Sequence, residues 1–267
     1  MGNAPYHSNI DMPQNPFSLE GRTVLIAGAS RGIGLAIAQS VARAGADTIL
    51  AARTLDALEA QAQALVKEGA KARALKLDIT NLDDATLAAI PELDGLVTVA
   101  GINQRKPFET YTREEFDRIM ETNINSVFVL VQKLGGRMKA RGKGGKIVIV
   151  GSQASNIGLP FLTPYSVSKT ALVGLTHSLA AEWGRYDIQV NCIAPGFILT
   201  DLNRKMWQEE SLNKWREQAQ ANPRMGLPED IGPLGAFLCA PGSDYITGQV
   251  ISVDGGYSKT AIWPFQG

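Results

Sequence analysis

Tyr165 and Lys169 stand four residues apart in the run Pro164-Tyr165-Ser166-Val167-Ser168-Lys169-Thr170-Ala171, and Ser152 lies thirteen residues upstream of the tyrosine. On a helix an i,i+4 pair shares one face, so the phenol and the ammonium would project side by side. A cation beside a phenol favours the phenolate, which predicts that Lys169 draws the Tyr165 pKa down from about 10. A tyrosine so prepared suits general acid–base work on a carbonyl/alcohol pair. The spacing alone also describes many plain helix surfaces, so the elements around it must decide.

Those elements alternate. Short, mostly continuous apolar runs fall at Thr23–Ala29, Thr48–Ala52, Ala72–Leu77, Gly95–Ala100, Lys146–Gly151, Gln189–Ala194 and Val250–Val253, as expected for strands covered on both faces. Helical patterns lie between them at Ile33–Ala44, Leu55–Glu68, Leu82–Ile90, Arg113–Ala140, Pro164–Arg185 and Pro228–Cys239. Regular alternation of this kind predicts an α/β chain with one doubly wound, seven-stranded parallel sheet and helices on both faces. No repeat and no second domain boundary is visible. Residues 1–18, with Pro5, Pro13 and Pro16, read as a flexible leader, and 19–267 as a single Rossmann-fold domain. The stretch 197–225 carries Phe197, Met206, Trp207 and Trp215 without a strand. It follows a strand end, where ligands bind in such sheets, and is expected to form a lid over the site.

The first strand runs into Gly28-Ala29-Ser30-Arg31-Gly32-Ile33-Gly34 and then a helix. Glycines so placed allow a tight turn and close approach of a pyrophosphate, and the helix start offers backbone N–H groups to that anion. The strand–loop–helix context gives the string its meaning as a dinucleotide site. At the second strand end, where an NAD site usually carries an acidic residue for the ribose 2′-OH, the chain reads Ala51-Ala52-Arg53-Thr54. Arg53 cannot accept that hydrogen bond but can grip a 2′-phosphate in bidentate fashion, with Arg31 as a second cation. NADP(H) is therefore favoured, with NAD(H) the alternative. Asp78, followed by Ile79 at the third strand end, is placed either to accept from an adenine amine or to cap the next helix.

Bulk properties remove several classes of function. Lys plus Arg number 26 and Asp plus Glu 26, so no overall positive field exists to hold a nucleic acid. No apolar run is long enough to span a bilayer, and the N-terminus has no export pattern, so a cytoplasmic protein is expected. Cys192 and Cys239 sit in apolar stretches and are expected to be free, buried thiols. With only His7 and His177 available, no metal site is expected.

With Gly28-x-x-x-Gly32-x-Gly34, Ala100-Gly101, Asn123, Ser152, Tyr165-x-x-x-Lys169, and Pro195-Gly196 with Thr200, the chain resembles the short-chain dehydrogenase/reductase family over about residues 19–257. The resemblance implies that Tyr165 exchanges the proton with the substrate oxygen and that Ser152 hydrogen-bonds the same oxygen. It further implies that Lys169 holds the nicotinamide ribose, and that Asn123 keeps a bend in its helix and seats a proton-relaying water. The turn Pro195-Gly196 to Thr200 would grip the nicotinamide carboxamide through the Ile198 backbone and the Thr200 hydroxyl. Two positions depart from the family pattern: Ala27 replaces a threonine, and Thr98-Val99 replaces Asn-Asn. A homotetramer, common in the family, is expected. A non-catalytic dinucleotide sensor is the alternative of another class, although a sensor need not keep the proton-transfer residues.

The loop Gly101-Ile102-Asn103-Gln104-Arg105-Lys106 and the segment Thr200-Asp201-Leu202-Asn203 are similar to the gluconate 5-dehydrogenase-like branch of that family, which implies a sugar acid, polyol or related hydroxy compound. Arg105 could anchor a carboxylate while Asn103, Gln104, Gln153, Asn156 and Asn203 read hydroxyls. Phe161, Phe197, Met206 and Trp207 point instead to a partly apolar pocket. A bulky ketone or 3-oxoacyl thioester is the second substrate reading. The tail Trp263-Pro264-Phe265 is expected to dock at a subunit interface.

Overall fold

The computed structural model describes residues 15–201 and 203–261. Strands β1 (Thr23–Ala27), β2 (Asp47–Ala52), β3 (Lys71–Lys76), β4 (Gly95–Thr98), β5 (Gly145–Val150), β6 (Ile188–Pro195) and β7 (Val250–Val253) form one sheet. Its order is β3-β2-β1-β4-β5-β6-β7, and every pair is parallel. All seven expected strands are present.

Side chains alternate across the sheet and split the core in two. Val24 and Ile26 face one side, with Ile37 and Val41 of α1 (Gly32–Arg43), Leu58 and Leu65 of α2 (Leu55–Lys67), and a later helix carrying Leu238. Leu25 and Ala27 face the other, beside Leu87 of α3 (Asp84–Ala89) and residues of the helices that follow β4. The expected helix at 113–140 is interrupted. It runs as α4 (Arg113–Met120), a π-helical turn over Glu121–Asn125, and α5 (Ser126–Arg141). Such a π-bulge widens the helix by one residue and commonly marks a functional position. Next come α6 (Thr163–Trp183), α7 (Glu210–Ala219) and α8 (Gly232–Cys239). The segment expected helical from Pro228 begins with a separate 3-10 turn, Pro228–Asp230, and α8 opens after it with Pro233 in its first turn.

Part of the expected leader is packed. Gly242 N donates to Pro16 O at 2.8 Å, and the Phe17 ring stands 5.8 Å from that of Phe237. The rest of the leader and the Trp263-Pro264-Phe265 tail lie outside the described residues. Strand order reverses at β1, which has β2 on one side and β4 on the other. The crevice beyond the carboxyl ends of these strands is where such sheets bind ligands, and there the chemistry-bearing residues gather.

Candidate active site

The loop after β1 is shaped by backbone contacts. Gly28 N and Ala29 N both donate to Ala51 O, at 2.8 and 3.1 Å. Gly34 admits no side chain, because a Cβ there would stand 2.1 Å from the Gly28 carbonyl oxygen. The departures at Ala27 and Thr98 therefore leave a turn tied by main chain; the buried Thr98 hydroxyl has no partner. Arg31 precedes α1 without any side-chain cap on the helix start, so backbone donors remain for an anion. Gly32 lies against Thr200: a Cβ there would meet the Thr200 methyl at 3.4 Å. Arg31, just before Gly32 in the loop, is exposed. Arg53 is exposed at the end of β2, close to Asp78. The Asp78 carboxyl accepts from the Thr80 hydroxyl at 2.7 Å and the Thr80 N–H at 3.0 Å. These bonds first, then the Arg53 charge, hold it below the usual carboxylate range.

Ser152 lies two residues beyond β5, and its hydroxyl accepts from Ala154 N at 3.1 Å. Tyr165 and Lys169 lie on α6 as expected. The Lys169 ammonium donates to Ala100 O and Val150 O, both at 3.1 Å, and stands 5.8 Å from the Tyr165 ring centre. Burial brings that ammonium down to about 8. Gly101 leaves it room, since a Cβ there would come within 3.0 Å of Nζ. Asn123 sits inside the π turn, fully buried. Its Oδ1 accepts from Ile102 N at 2.7 Å, and its Nδ2 donates to Ile102 O at 2.9 Å and Ser168 Oγ at 3.0 Å. The widened turn swings this amide across to the loop after β4.

One expectation changes. Burial raises the Tyr165 phenol above its ordinary value, against a lowering by the Ser152 hydroxyl and then by the charge of Arg105. Lys169 is held by two carbonyls, 5.8 Å from the ring centre. Arg105, from the loop after β4, adds a second cation near the phenol.

The other proposed substrate contacts divide. Asn103 is exposed, whereas Gln153 is buried with its Oε1 unpaired. Asn203 is engaged in the turn after β6: its Oδ1 accepts from Thr200 N at 2.8 Å and its Nδ2 donates to Ile198 O at 2.7 Å. Gln104 is clamped between Glu115 and Arg118, at 2.5 and 2.7 Å. Phe197 joins an aromatic cluster with Trp207, Trp215 and Tyr257, at ring-centre distances of 5.3, 5.7 and 4.9 Å. Phe197, Trp207 and Trp215 of this cluster border a cavity of about 380 Å³, between the 105–107 loop, the 159–162 loop and the 206–215 segment. Phe161 was expected at an apolar pocket, whereas Leu159, Pro160, Leu162 and Tyr257 were not. The only signal for the 159–162 wall is the apolar run Leu159-Pro160-Phe161-Leu162 in a region with no strand or helix pattern.

A parallel sheet with an uncapped glycine loop at its switch point, facing a serine, a tyrosine and a lysine, defines a nucleotide-dependent oxidoreductase site. The chain belongs to the short-chain dehydrogenase/reductase family, and a sequence profile described as enoyl-(acyl carrier protein) reductase matches residues 28–258. It is 36% identical over 246 residues to a gluconate 5-dehydrogenase of Gluconobacter oxydans, covering 90% of this chain and 96% of the relative. It is 37% identical over 249 residues to a tropinone reductase homolog of Arabidopsis thaliana, covering 91% and 94%. The crystal structure of a gluconate 5-dehydrogenase from Burkholderia cenocepacia, in complex with NADP and tartrate, superposes with a TM-score of 0.86 at 32% identity, covering 92% of this chain and 98% of that one.

Proposed function

We propose that this protein interconverts a ketone or aldehyde with the corresponding alcohol, using NADP(H), with Tyr165 as general acid and base. The observation that carries the reading is the convergence of Ser152, Tyr165 and Lys169 beside the glycine loop, with no competing nucleophile or metal cluster among the described residues. The uncapped α1 start and the Gly28–Gly34 contact fit a pyrophosphate, and the exposed Arg31 and Arg53 fit a 2′-phosphate. Lys169 would hold the nicotinamide ribose, and Gly196, Ile198 and Thr200 the carboxamide. When bound, NADPH supplies the hydride to the carbonyl carbon and leaves as NADP+.

The residues of the chain then manage one proton. Ser152 donates a hydrogen bond to the substrate oxygen, and Tyr165 donates its phenolic proton to that oxygen as charge develops there. In the reverse direction the tyrosinate takes the alcohol proton. Asn123 braces the loop after β4 against α6, fixing Gly101 and hence the place of the Lys169 ammonium.

The relatives named for gluconate support a hydroxy acid, its keto form or a related polyol as substrate, with Arg105 as carboxylate anchor. The apolar cavity supports the second reading, a bulkier ketone. The segment 197–225 serves as lid, pinned at its base by the Ile198–Gly226 bridge and by the bonds of Asn203. Phe128, Val129 and Val167, apolar and exposed on α5 and α6, support assembly as a homotetramer. The buried free thiols of Cys192 and Cys239 suit a reducing, cytoplasmic setting.

The test is to follow NADPH absorbance over sugar acids, polyols, ketones and 3-oxoacyl thioesters with wild type and Tyr165→Phe. The variant should lose roughly 10²- to 10⁴-fold in kcat while NADPH binding, read by fluorescence, stays in place. A fully active variant would refute the mechanism.

A further inference from the structure

Three of the five side chains expected to read the hydroxyls of a sugar are engaged elsewhere, and the other two, Asn103 and Gln153, do not line the cavity. Gln104 is clamped by Glu115 and Arg118. The Lys106 ammonium pairs with Glu115 at 2.5 Å and lies over the Tyr111 ring. Both amide atoms of Asn203 serve the turn after β6, and Asn156 Nδ2 donates to Ser252 Oγ at 3.3 Å. What lines the cavity instead is Leu159, Phe161, Leu162, Phe197, Leu212 and Trp215.

This wall is built in spite of backbone strain. Phe161 has φ of 65° and an exposed side chain. A left-handed conformation costs a non-glycine residue about 1–2 kcal/mol. Its carbonyl is fixed there by Lys106 N and the Tyr111 hydroxyl, both at 3.2 Å. A surface phenylalanine kept in that state is consistent with a role as the wall of a site.

None of the side chains that line the cavity carries an oxygen acceptor, and the two charged ones are cations: the Arg105 guanidinium and the engaged Lys106 ammonium. The Arg105 guanidinium rests on the Met206 thioether, with no carboxylate at ion-pair distance among the described residues. A polyol brings hydroxyl hydrogens that need acceptors, and each one buried without an acceptor costs about 1–3 kcal/mol. A carboxylate only accepts.

We propose that the cavity recognises an oxo acid, or its hydroxy acid, with an aromatic or otherwise apolar body: the carboxylate takes Arg105, and the body lies among Phe161, Phe197 and Trp215. The proposal rests on the carbonyl/alcohol reading above and names the kind of molecule on which that chemistry acts. It departs from the polyhydroxy acids for which the relatives are named.

Binding and turnover are separable tests. Calorimetry on the NADP+-saturated protein would compare 4-phenylbutanoate, 4-phenylbutan-1-ol and D-gluconate. The aryl acid should bind at least about tenfold more tightly than gluconate. Arg105→Met should weaken the aryl acid by about 10- to 100-fold, as for loss of a charged hydrogen bond, and leave the aryl alcohol unchanged. Gluconate binding as tightly as the aryl acid overturns the proposal, as does an Arg105→Met protein that binds both acids as before. NADPH consumption with 4-oxo-4-phenylbutanoate is then measured separately. If the aryl acid binds as stated but its keto analogue is not reduced, the reaction reading falls and the assignment of the cavity stands. Binding and reduction confined to sugar acids does the reverse.

Discussion

The floor of the cleft and its wall are built on opposite plans. On the floor, the polar groups are tied to main chain or to one another: Lys169 to two carbonyls, Asn123 to Ile102 and Ser168, Ser152 to Ala154 N. In the wall, polar groups are turned aside into Glu115, Arg118 or the turn after β6, and aromatic rings face the open volume. The floor holds a proton-transfer geometry whatever the substrate is. The wall chooses the substrate by burial and by one cation. Substitutions in the two regions should therefore fail in different kinetic terms.

Among variants that keep Tyr165, the largest effect is expected from Ser152→Ala. Loss of a hydroxyl donor to the developing oxyanion should lower kcat by about 10²- to 10³-fold. The factor should be the same for every substrate the enzyme accepts. A loss that differed widely between substrates would dissolve the distinction between floor and wall.

The two regions also differed in how legible they were in the sequence. Tyr165, Lys169, Ser152 and the glycine loop are read from spacing, because helix and strand periods fix where such side chains go. The π turn at Asn123 is invisible to that arithmetic: residues 121–125 carry an ordinary helical pattern, and the extra residue in the turn becomes apparent only once the amide meets Ile102 and Ser168. The wall is harder still. It is assembled from three loops distant in sequence, and the fate of Gln104 depends on Glu115, eleven residues on, reaching back to it. Arg105 was legible as a cation near the site. That its charge also reaches the Tyr165 phenol follows from how the loop after β4 folds.

A second prediction concerns the cofactor edge of the floor. Arg53→Ala should weaken NADPH by about 10- to 100-fold, the loss of a charged, bidentate contact, and NADH far less. Fluorescence titration with both cofactors measures the ratio. Equal losses would remove Arg53 from the 2′-phosphate and leave it a surface charge.

Within the wall, Trp215→Ala should raise KM about tenfold for apolar substrates, given the area an aromatic ring buries, and leave kcat nearly unchanged. A fall in kcat at constant KM would mean that the wall also positions the reacting carbon.

Lys169 tests the floor without substrate. Burial brings its ammonium from 10.5 to about 8, so between those two pH values the unfolded chain binds a proton that the folded chain does not. Stability from this group should therefore rise with pH across that window, because the cost of burying the charge is relieved. Denaturant midpoints of wild type and Lys169→Met at stepped pH should converge or cross there; parallel curves would show that its carbonyl partners already offset the burial.

The finest test is the reach of Arg105 from the wall to the floor. Burial raises the Tyr165 phenol, while the Ser152 hydroxyl and the Arg105 charge lower it. Arg105→Met removes one lowering influence, so the phenol should titrate at higher pH. Alcohol oxidation needs the phenolate, and its alkaline rise should move upward in pH. Carbonyl reduction needs the phenol, and its plateau should extend upward. Both profiles are to be taken with an uncharged ketone and its alcohol, so that the lost carboxylate anchor does not enter. Raising salt in the wild type should move the profiles the same way, but less, since the guanidinium is exposed on one side and partly screened there. Unshifted limbs would confine Arg105 to substrate binding and leave the tyrosine governed by burial and Ser152 alone.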